Sequence, residues 1–167
     1  EYVDLGLPSG VKWATMNVGA TSPEEKGNYY AWGELQPKTE YTEMTCTSYK
    51  LNIEDVSGNP EYDVARVDWG ATWRMPTADE CNELLENCTW EYTTLGRVSG
   101  CKAISKINGN YIFFPIQFYQ DLARYWSSTP SAYQGDYESQ SLTIYKEFIR
   151  VSTAVRGDDY PIRPVTK

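Results

Sequence analysis

Histidine is missing from all 167 residues of the chain. Its absence removes the usual general base near neutral pH, the Ser-His and Cys-His nucleophile pairs, and the commonest zinc ligand. Catalysis would have to run on carboxylates, lysine, tyrosine or cysteine alone, and the chain is expected not to be an enzyme. Long apolar runs are missing too. The longest, Tyr111 to Pro115, is strand-sized, against the roughly 20 residues a membrane-crossing helix needs, so no direct membrane insertion is expected. The four cysteines contain no C-x-x-C pair, which argues against a zinc ribbon. Basic charge is scarce: 15 Lys and Arg against 23 Asp and Glu leave −8. An acidic body repels phosphate backbones, so nucleic acid is not an expected partner. No signal peptide is recognised in these residues, and the start at Glu1-Tyr2-Val3-Asp4 reads as a cut just ahead of a folded domain of a longer chain or surface assembly, with any address label expected to lie outside them.

What is present is aromatic. Six Trp and 14 Tyr run from end to end, a composition suited to pleated, half-buried surfaces. Turn signals recur at Pro8-Ser9-Gly10, Gly19 to Pro23, Gly58-Asn59-Pro60, Asn108-Gly109-Asn110 and Gly157-Asp158-Asp159. With no internal repeat or low-complexity linker, residues 1–167 read as one α+β domain, rich in strands. The acidic excess is uneven: residues 1–125 carry 10 basic and 18 acidic side chains, whereas 126–167 carry 5 of each. A mixed-sign C-terminal quarter on an acidic body points to a surface with its own task, or to fluctuation in a small sample.

The clearest predicted helix is Ala78 to Cys88. Thr77 at the N-cap and Glu80 three residues on form a capping box, and Cys81, Leu84, Leu85 and Cys88 follow the spacing of a buried stripe. Ser22-Pro23 predicts a helical turn to Lys26. Strands are predicted at Gly10–Thr15, Tyr29–Trp32, Cys101–Ile104 and Tyr111–Phe114, with Asn108-Gly109 as a hairpin signal. Cys81 and Cys88 stand about 10 Å apart along the helix, too far to bond each other. The reading leans to Cys88–Cys101 with Cys46–Cys81, with four buried free thiols as the alternative.

Near the C-terminus, Leu142-Thr143-Ile144 and Ile149-Arg150-Val151 alternate apolar and polar, with Tyr145-Lys146-Glu147-Phe148 between them as a four-residue turn. If Leu142, Ile144, Ile149 and Val151 point inward, then Ser141, Thr143, Tyr145, Arg150 and Ser152 point out together. Phe148 then sits on an exposed turn, unless a different register takes it into the core.

At Trp73-Arg74-Met75-Pro76-Thr77-Ala78-Asp79-Glu80 the sequence resembles the second-helix entry of bacterial C-type-lectin-fold domains, which include the formylglycine-generating group. Tyr2 to Thr15, Asn17-Val18-Gly19-Ala20, Tyr29 to Glu34, Tyr125 to Pro130 and Ile162-Arg163-Pro164-Val165 together look like the Fibrobacter succinogenes major-paralogous domain. That family occurs on secreted and surface proteins of gut Bacteroidetes, and the resemblance spans essentially the whole chain. It implies a C-type lectin-like fold with paired N- and C-terminal strands, two flanking helices and a long loop-rich region. Trp13, Trp32, Trp73 and Trp126 are expected in the core, and Arg74 and Arg163 on backbone carbonyls.

Three functions separate at this point. Calcium-dependent sugar sites of the lectins resemble Glu-Pro-Asn or Gln-Pro-Asp followed by Trp-Asn-Asp, and neither occurs. Ser127-Ser128 follow Trp126 and offer no carboxylate to a hard cation. The stretch Glu54, Asp55, Asn59, Glu61, Asp63 reads as a solvated acidic loop. Formylglycine-type chemistry depends on late cysteines, and the last here is Cys101. No metal or other cofactor is expected. The third function is a binding module with variable side chains on a constant frame, as in proteins diversified by retroelements. The frame would be Trp126 to Pro130, Leu142, Ile144, Ile149, Val151, Arg156 and Ile162 to Val165. The free positions would be Gln140, Ser141, Thr143, Tyr145, Glu147, Phe148, Arg150, Ser152, Asp158 and Asp159. Asp159 stands where the family usually has glycine.

Tyr133, Tyr137, Tyr145, Phe148 and Tyr160, interleaved with Asp136, Lys146, Arg150, Arg156 and Asp158, have the chemistry of a paratope: rigid amphipathic rings with anchoring charges. The expected role is therefore ligand binding or adhesion on an extracellular or cell-surface protein, such as a pilus-tip module, with a protein or surface glycan as partner. The alternative is a polar strand face that only keeps a structural surface module soluble.

Overall fold

The computed structural model describes residues 1–116, 122–134 and 136–167. Its elements run β1 (Tyr2–Val3), β2 (Lys12–Ala14), α1 (Val64–Trp69), α2 (Ala78–Asn87), β3 (Cys88–Leu95), β4 (Val98–Ser105), β5 (Tyr111–Pro115), β6 (Ala123–Pro130), β7 (Glu138–Tyr145), β8 (Phe148–Val155) and β9 (Val165–Thr166). The chain is thus α+β, strand-rich, with two helices among the described residues. Among the described residues three antiparallel sheets have the orders β1-β2-β9, β3-β4-β5 and β6-β7-β8. The two ends of the chain meet in the first, where Trp13 pairs with Val165.

Helix α2 begins where its side chains cap it. Glu80 N donates to Thr77 Oγ1 at 3.2 Å and Thr77 N donates to Glu80 Oε1 at 3.0 Å, so two N–H groups left over by the helix are satisfied. Arg74 completes the joint with paired bonds of 2.7 Å to the two Glu80 oxygens. Burial works against the Glu80 charge, but the bonds from Arg74 and Thr77 outweigh it and hold its pKa below the usual value. Arg74 is therefore anchored chiefly on a carboxylate and Ser57 Oγ, with Met75 O at 3.5 Å, a correction to the expected carbonyl role. The helix stops at Asn87, because Cys88 is already extended and starts β3.

Two apolar clusters fill the interior. The first joins Leu5, Trp13, Cys81, Leu84, Phe114 and Tyr125 to Leu142 and Ile144, with Ile149 and Val151 packed against it. The second gathers Val18, Tyr30, Trp32, Met75, Trp126, Ala154, Tyr160 and Ile162. The β6-β7-β8 sheet separates them and has apolar packing on both faces. Arg163, fully buried, donates to Asn17 Oδ1 at 2.7 Å and to the carbonyls of Ala14 and Phe113 at 3.3 and 2.7 Å. Burial pulls its pKa down to about 10. Arg156, equally buried, donates to the Ser48 and Leu51 carbonyls and stands 4.3 Å over the Trp32 ring. Gly100 carries no Cβ for a physical reason: one built there would lie 2.2 Å from the Phe113 ring.

Several expectations need correction. The predicted strand Gly10–Thr15 is only Lys12–Ala14. Tyr29–Trp32 makes an isolated bridge through Tyr30 and Tyr160, because its next bond, Trp32 N to Arg156 O, reaches an irregular loop. Pro23 begins a turn without a helix. All four cysteines are free and buried, so the disulfide pairing gives way to the alternative. Trp73 is half-buried against Trp69, edge to face at 4.9 Å. Asp63 is no solvated loop residue. It is buried and caps α1, accepting from Gly58 N, Met75 N and Arg66 N, and burial raises its pKa against those bonds. No helix among the described residues is long and apolar enough to cross a membrane.

Candidate functional site

The alternation of β7 and β8 fixes their register: Leu142 pairs with Val151, and Ile144 with Ile149. The same ladder continues to Tyr145 opposite Phe148, so the turn is the two residues Lys146 and Glu147 in place of four. Phe148 is consequently a strand residue on the Tyr145 and Arg150 side of the hairpin. The Tyr145 and Phe148 ring centroids are 5.3 Å apart, and the Arg150 guanidinium lies 4.2 Å from the Phe148 centroid. Phe148 is 39% exposed, Tyr145 half-buried, and Lys146, Glu147 and Arg150 exposed. Two rings, two cations and one carboxylate therefore project from one hairpin end.

Further along the same face the side chains sink. Ser141 and Thr143 are buried, contrary to the expectation that they point to solvent, because Trp126 and Ala154 of the second cluster share their face. Their hydroxyls are satisfied internally: Thr143 Oγ1 lies 2.6 Å from Ser152 Oγ, and Ser141 Oγ donates to Ser152 O at 3.2 Å. Ser152 is half-buried. Tyr160 is buried as well, packed edge to face on Trp126 at 4.9 Å. Its hydroxyl accepts from Arg124 Nη1 at 3.3 Å and donates to Asp158 Oδ2 at 3.1 Å. Burial first, then the Asp158 charge, pushes that phenol up to about 12. Asp158 is exposed and Asp159 half-buried, with the Asp159 carboxyl raised by burial. Ser141, Thr143 and Tyr160 are therefore parts of the frame.

Gln140 faces the other way, on the Leu142 side, where its Nε2 donates to Pro130 O at 3.0 Å. Tyr133, Asp136 and Tyr137 belong to the opposite pole, in the connection from β6 to β7. Eight residues of β7 separate them from the hairpin turn, a span of about 24 Å. Tyr133 is 93% exposed there. Tyr137 stacks on Tyr49 at 5.4 Å, and Lys50 N donates to Asp136 O at 2.6 Å. The expected single surface is thus two poles. Sequence reasoning missed Tyr49, which joins the far pole, and Arg124, placed opposite Thr143 on β6. The available signal for Arg124 was its position two residues before Trp126, on the same face of a strand.

The hairpin end projects, with Lys146 at the margin of a shallow concavity shared with Tyr92 and Ile116; an open cleft of about 720 Å³ lies elsewhere, beside Tyr2 and Tyr111. For recognition by projecting rings and charges, convexity is no obstacle, and contact geometry weighs more than cavity size. The hairpin end can offer apolar contact, cation–π contact and charged hydrogen bonds. Comparison with protein-family models, curated proteins and solved structures finds no match to this chain.

Proposed function

We propose that the chain is a non-enzymatic ligand-binding or adhesion module on a C-type-lectin-like scaffold. The particular reading is a recognition domain of a secreted or cell-surface protein, pilus-tip modules included, in which the C-terminal hairpin carries specificity as in retroelement-diversified variable proteins. Its ligand is a protein or a surface glycan. The scaffold assignment draws on the pairing of the two chain ends, the two helices and the long irregular stretch from Thr15 to Asp63. One observation carries the functional reading: Phe148 packs against both Tyr145 and Arg150 and the three reach solvent, while the frame beneath them is closed by its own hydrogen bonds. Such a cluster can be rewritten without disturbing the fold. The test is the triple change Tyr145→Ser, Phe148→Ser, Arg150→Ser, read on a glycan array and a cell-surface protein array. Loss of the wild-type signals with a Tm lower by only a few degrees supports the reading. Unchanged signals, or an unfolded variant, contradict it.

A further inference from the structure

The outer strands of the sheets differ in what meets them. β6 is closed from outside its sheet: Trp126 N donates to Pro161 O at 3.1 Å and Ser128 N to Pro76 O at 2.8 Å. On β5 the buried Arg163 takes the Phe113 carbonyl. β8 is the other outer strand of the β6-β7-β8 sheet, and its ladder to β7 shows which of its main-chain groups look outward. Lys146 and Glu147 form a two-residue turn, so Tyr145 and Phe148 exchange both of their hydrogen bonds. Bonded pairs then recur at every second position: Thr143 with Arg150, Ser141 with Ser152, Ser139 with Ala154. The next bond in that series, Arg156 N to Tyr137 O at 3.0 Å, has the same phase. Ile149, Val151 and Thr153 therefore turn both N–H and C=O away from β7. Among the described residues nothing bonds to these groups.

Proteins keep an outer strand from pairing with proline, lysine or a bulge. Strand β8 has none of these: Phe148–Val155 holds no proline, glycine or lysine, its register to β7 is unbroken, and every second side chain from Ile149 on is branched at Cβ. The open groups are also symmetric about Val151. An antiparallel copy of the same strand centred there meets them bond for bond: Ile149 with Thr153 of the second copy, Val151 with its own counterpart, and Thr153 with Ile149 of the second copy. Arg150, the one charge on the strand, then stands beside Ser152 of the second copy and not beside another arginine, and Phe148 beside Ala154 of the second copy. Centring two residues earlier would run the pairing into the turn at Glu147. Centring two residues later would call on the Val155 carbonyl, which Asp158 N already holds at 3.0 Å. The second copy thus supplies the complementary edge by construction, and in one register.

We propose that β8 pairs with β8 of a second copy of this chain, antiparallel and two-fold about Val151, joining two three-stranded sheets into one of six strands. The two-fold axis stands perpendicular to the sheet, so both hairpin faces look the same way, their Phe148 residues about 20 Å apart along the strands. The dimer does not depend on what the hairpin binds. The test is sedimentation velocity of the whole chain from about 1 to about 200 μM, with hydrogen exchange followed at both ends of that range. The expected result is a shift from monomer to dimer, with exchange at the Ile149, Val151 and Thr153 amides slowed at least tenfold while the Arg150 and Ser152 amides, already bonded to β7, stay unchanged. Two bodies of charge −8 repel each other, so the dimer should tighten as salt rises. Thr153→Pro removes one outward N–H without touching the ladder to β7 and should leave the chain monomeric throughout, whereas Thr153→Val should dimerise like the wild type. The exchange pattern decides the matter without a variant, even where the proline lowers Tm. Overturning results are a monomer across the whole range, a dimer that leaves the three amides unchanged or survives Thr153→Pro, or amides already slow in the dilute monomer.

Discussion

The Arg150 guanidinium rests 4.2 Å from the centre of the Phe148 ring, at the end of the β7–β8 hairpin. A cation over an exposed ring loses little of its contact with water, and such a pair adds about 0.5–1 kcal/mol. Phe148 also stacks on Tyr145. Phe148→Ala should therefore cost about 1–2 kcal/mol of stability in urea unfolding. A loss of 4 kcal/mol would place Phe148 in the core and remove it from any recognition surface.

Arg163 has the opposite status. Its three acceptors lie on β2, β5 and the Asn17 turn, and nothing in its surroundings is solvent. Arg163→Ala leaves those acceptors buried and unbonded, at a cost of about 3–5 kcal/mol. Calorimetry should show a collapse of Tm, and Arg163→Lys should restore little, since one ammonium cannot span the three positions.

The cap of α2 offers a graded test. Thr77→Ala removes the acceptor for Glu80 N and should cost about 1 kcal/mol. Glu80→Ala removes the Arg74 pair as well and should cost about 2–3 kcal/mol, because charged hydrogen bonds in a partly buried joint are the stronger ones. Equal costs for the two changes would mean that Arg74 contributes nothing through Glu80.

The buried thiols give the chain an alkaline sensitivity. Burial pushes Cys88 up to about 11 and Cys101 up to about 12 from 9.0, and raises Cys81 further. Between about pH 8.5 and 10 the unfolded chain gives up these protons while the folded chain keeps them, so the unfolded state binds fewer protons and stability falls as pH rises. Tyr160 adds to this above pH 10, where Arg163 acts in the opposite direction. Urea midpoints should drop across the lower window and flatten when the three cysteines are replaced by Ala. The native protein should also leave Ellman's reagent unreacted until denaturant exposes all four thiols.

How far the residues alone reveal this molecule depends on whether the causes are local. The start of α2 was legible because Thr77 and Glu80 cap it within one turn, and the pairing of Leu142 with Val151 because strand alternation carries its own register. Helix α1 was not: its cap, Asp63, looks like one more acid in an acidic loop until Met75 and Gly58 fold onto it. β3 escaped notice although Trp90 and Tyr92 alternate with Thr89, Glu91 and Thr93 along it, because it follows α2 without a break and Cys88 continues the helix stripe. The depth of Ser141 and Thr143 could not be read from β7, since the groups that cover them, Trp126 and Ala154, come from β6 and β8. Nor does spacing along the chain reveal that Tyr133 and Tyr145 lie at opposite ends of one strand.

The central claim is that recognition resides at the hairpin end and not at the opposite pole. Its most direct measurement compares two variants against whichever array signals the wild type gives: Tyr145→Ser with Phe148→Ser and Arg150→Ser, and Tyr133→Ser with Asp136→Ser and Tyr137→Ser. The account predicts that the first set loses at least tenfold in affinity while the second stays within twofold of the wild type. Retention by the first set together with loss by the second would contradict it.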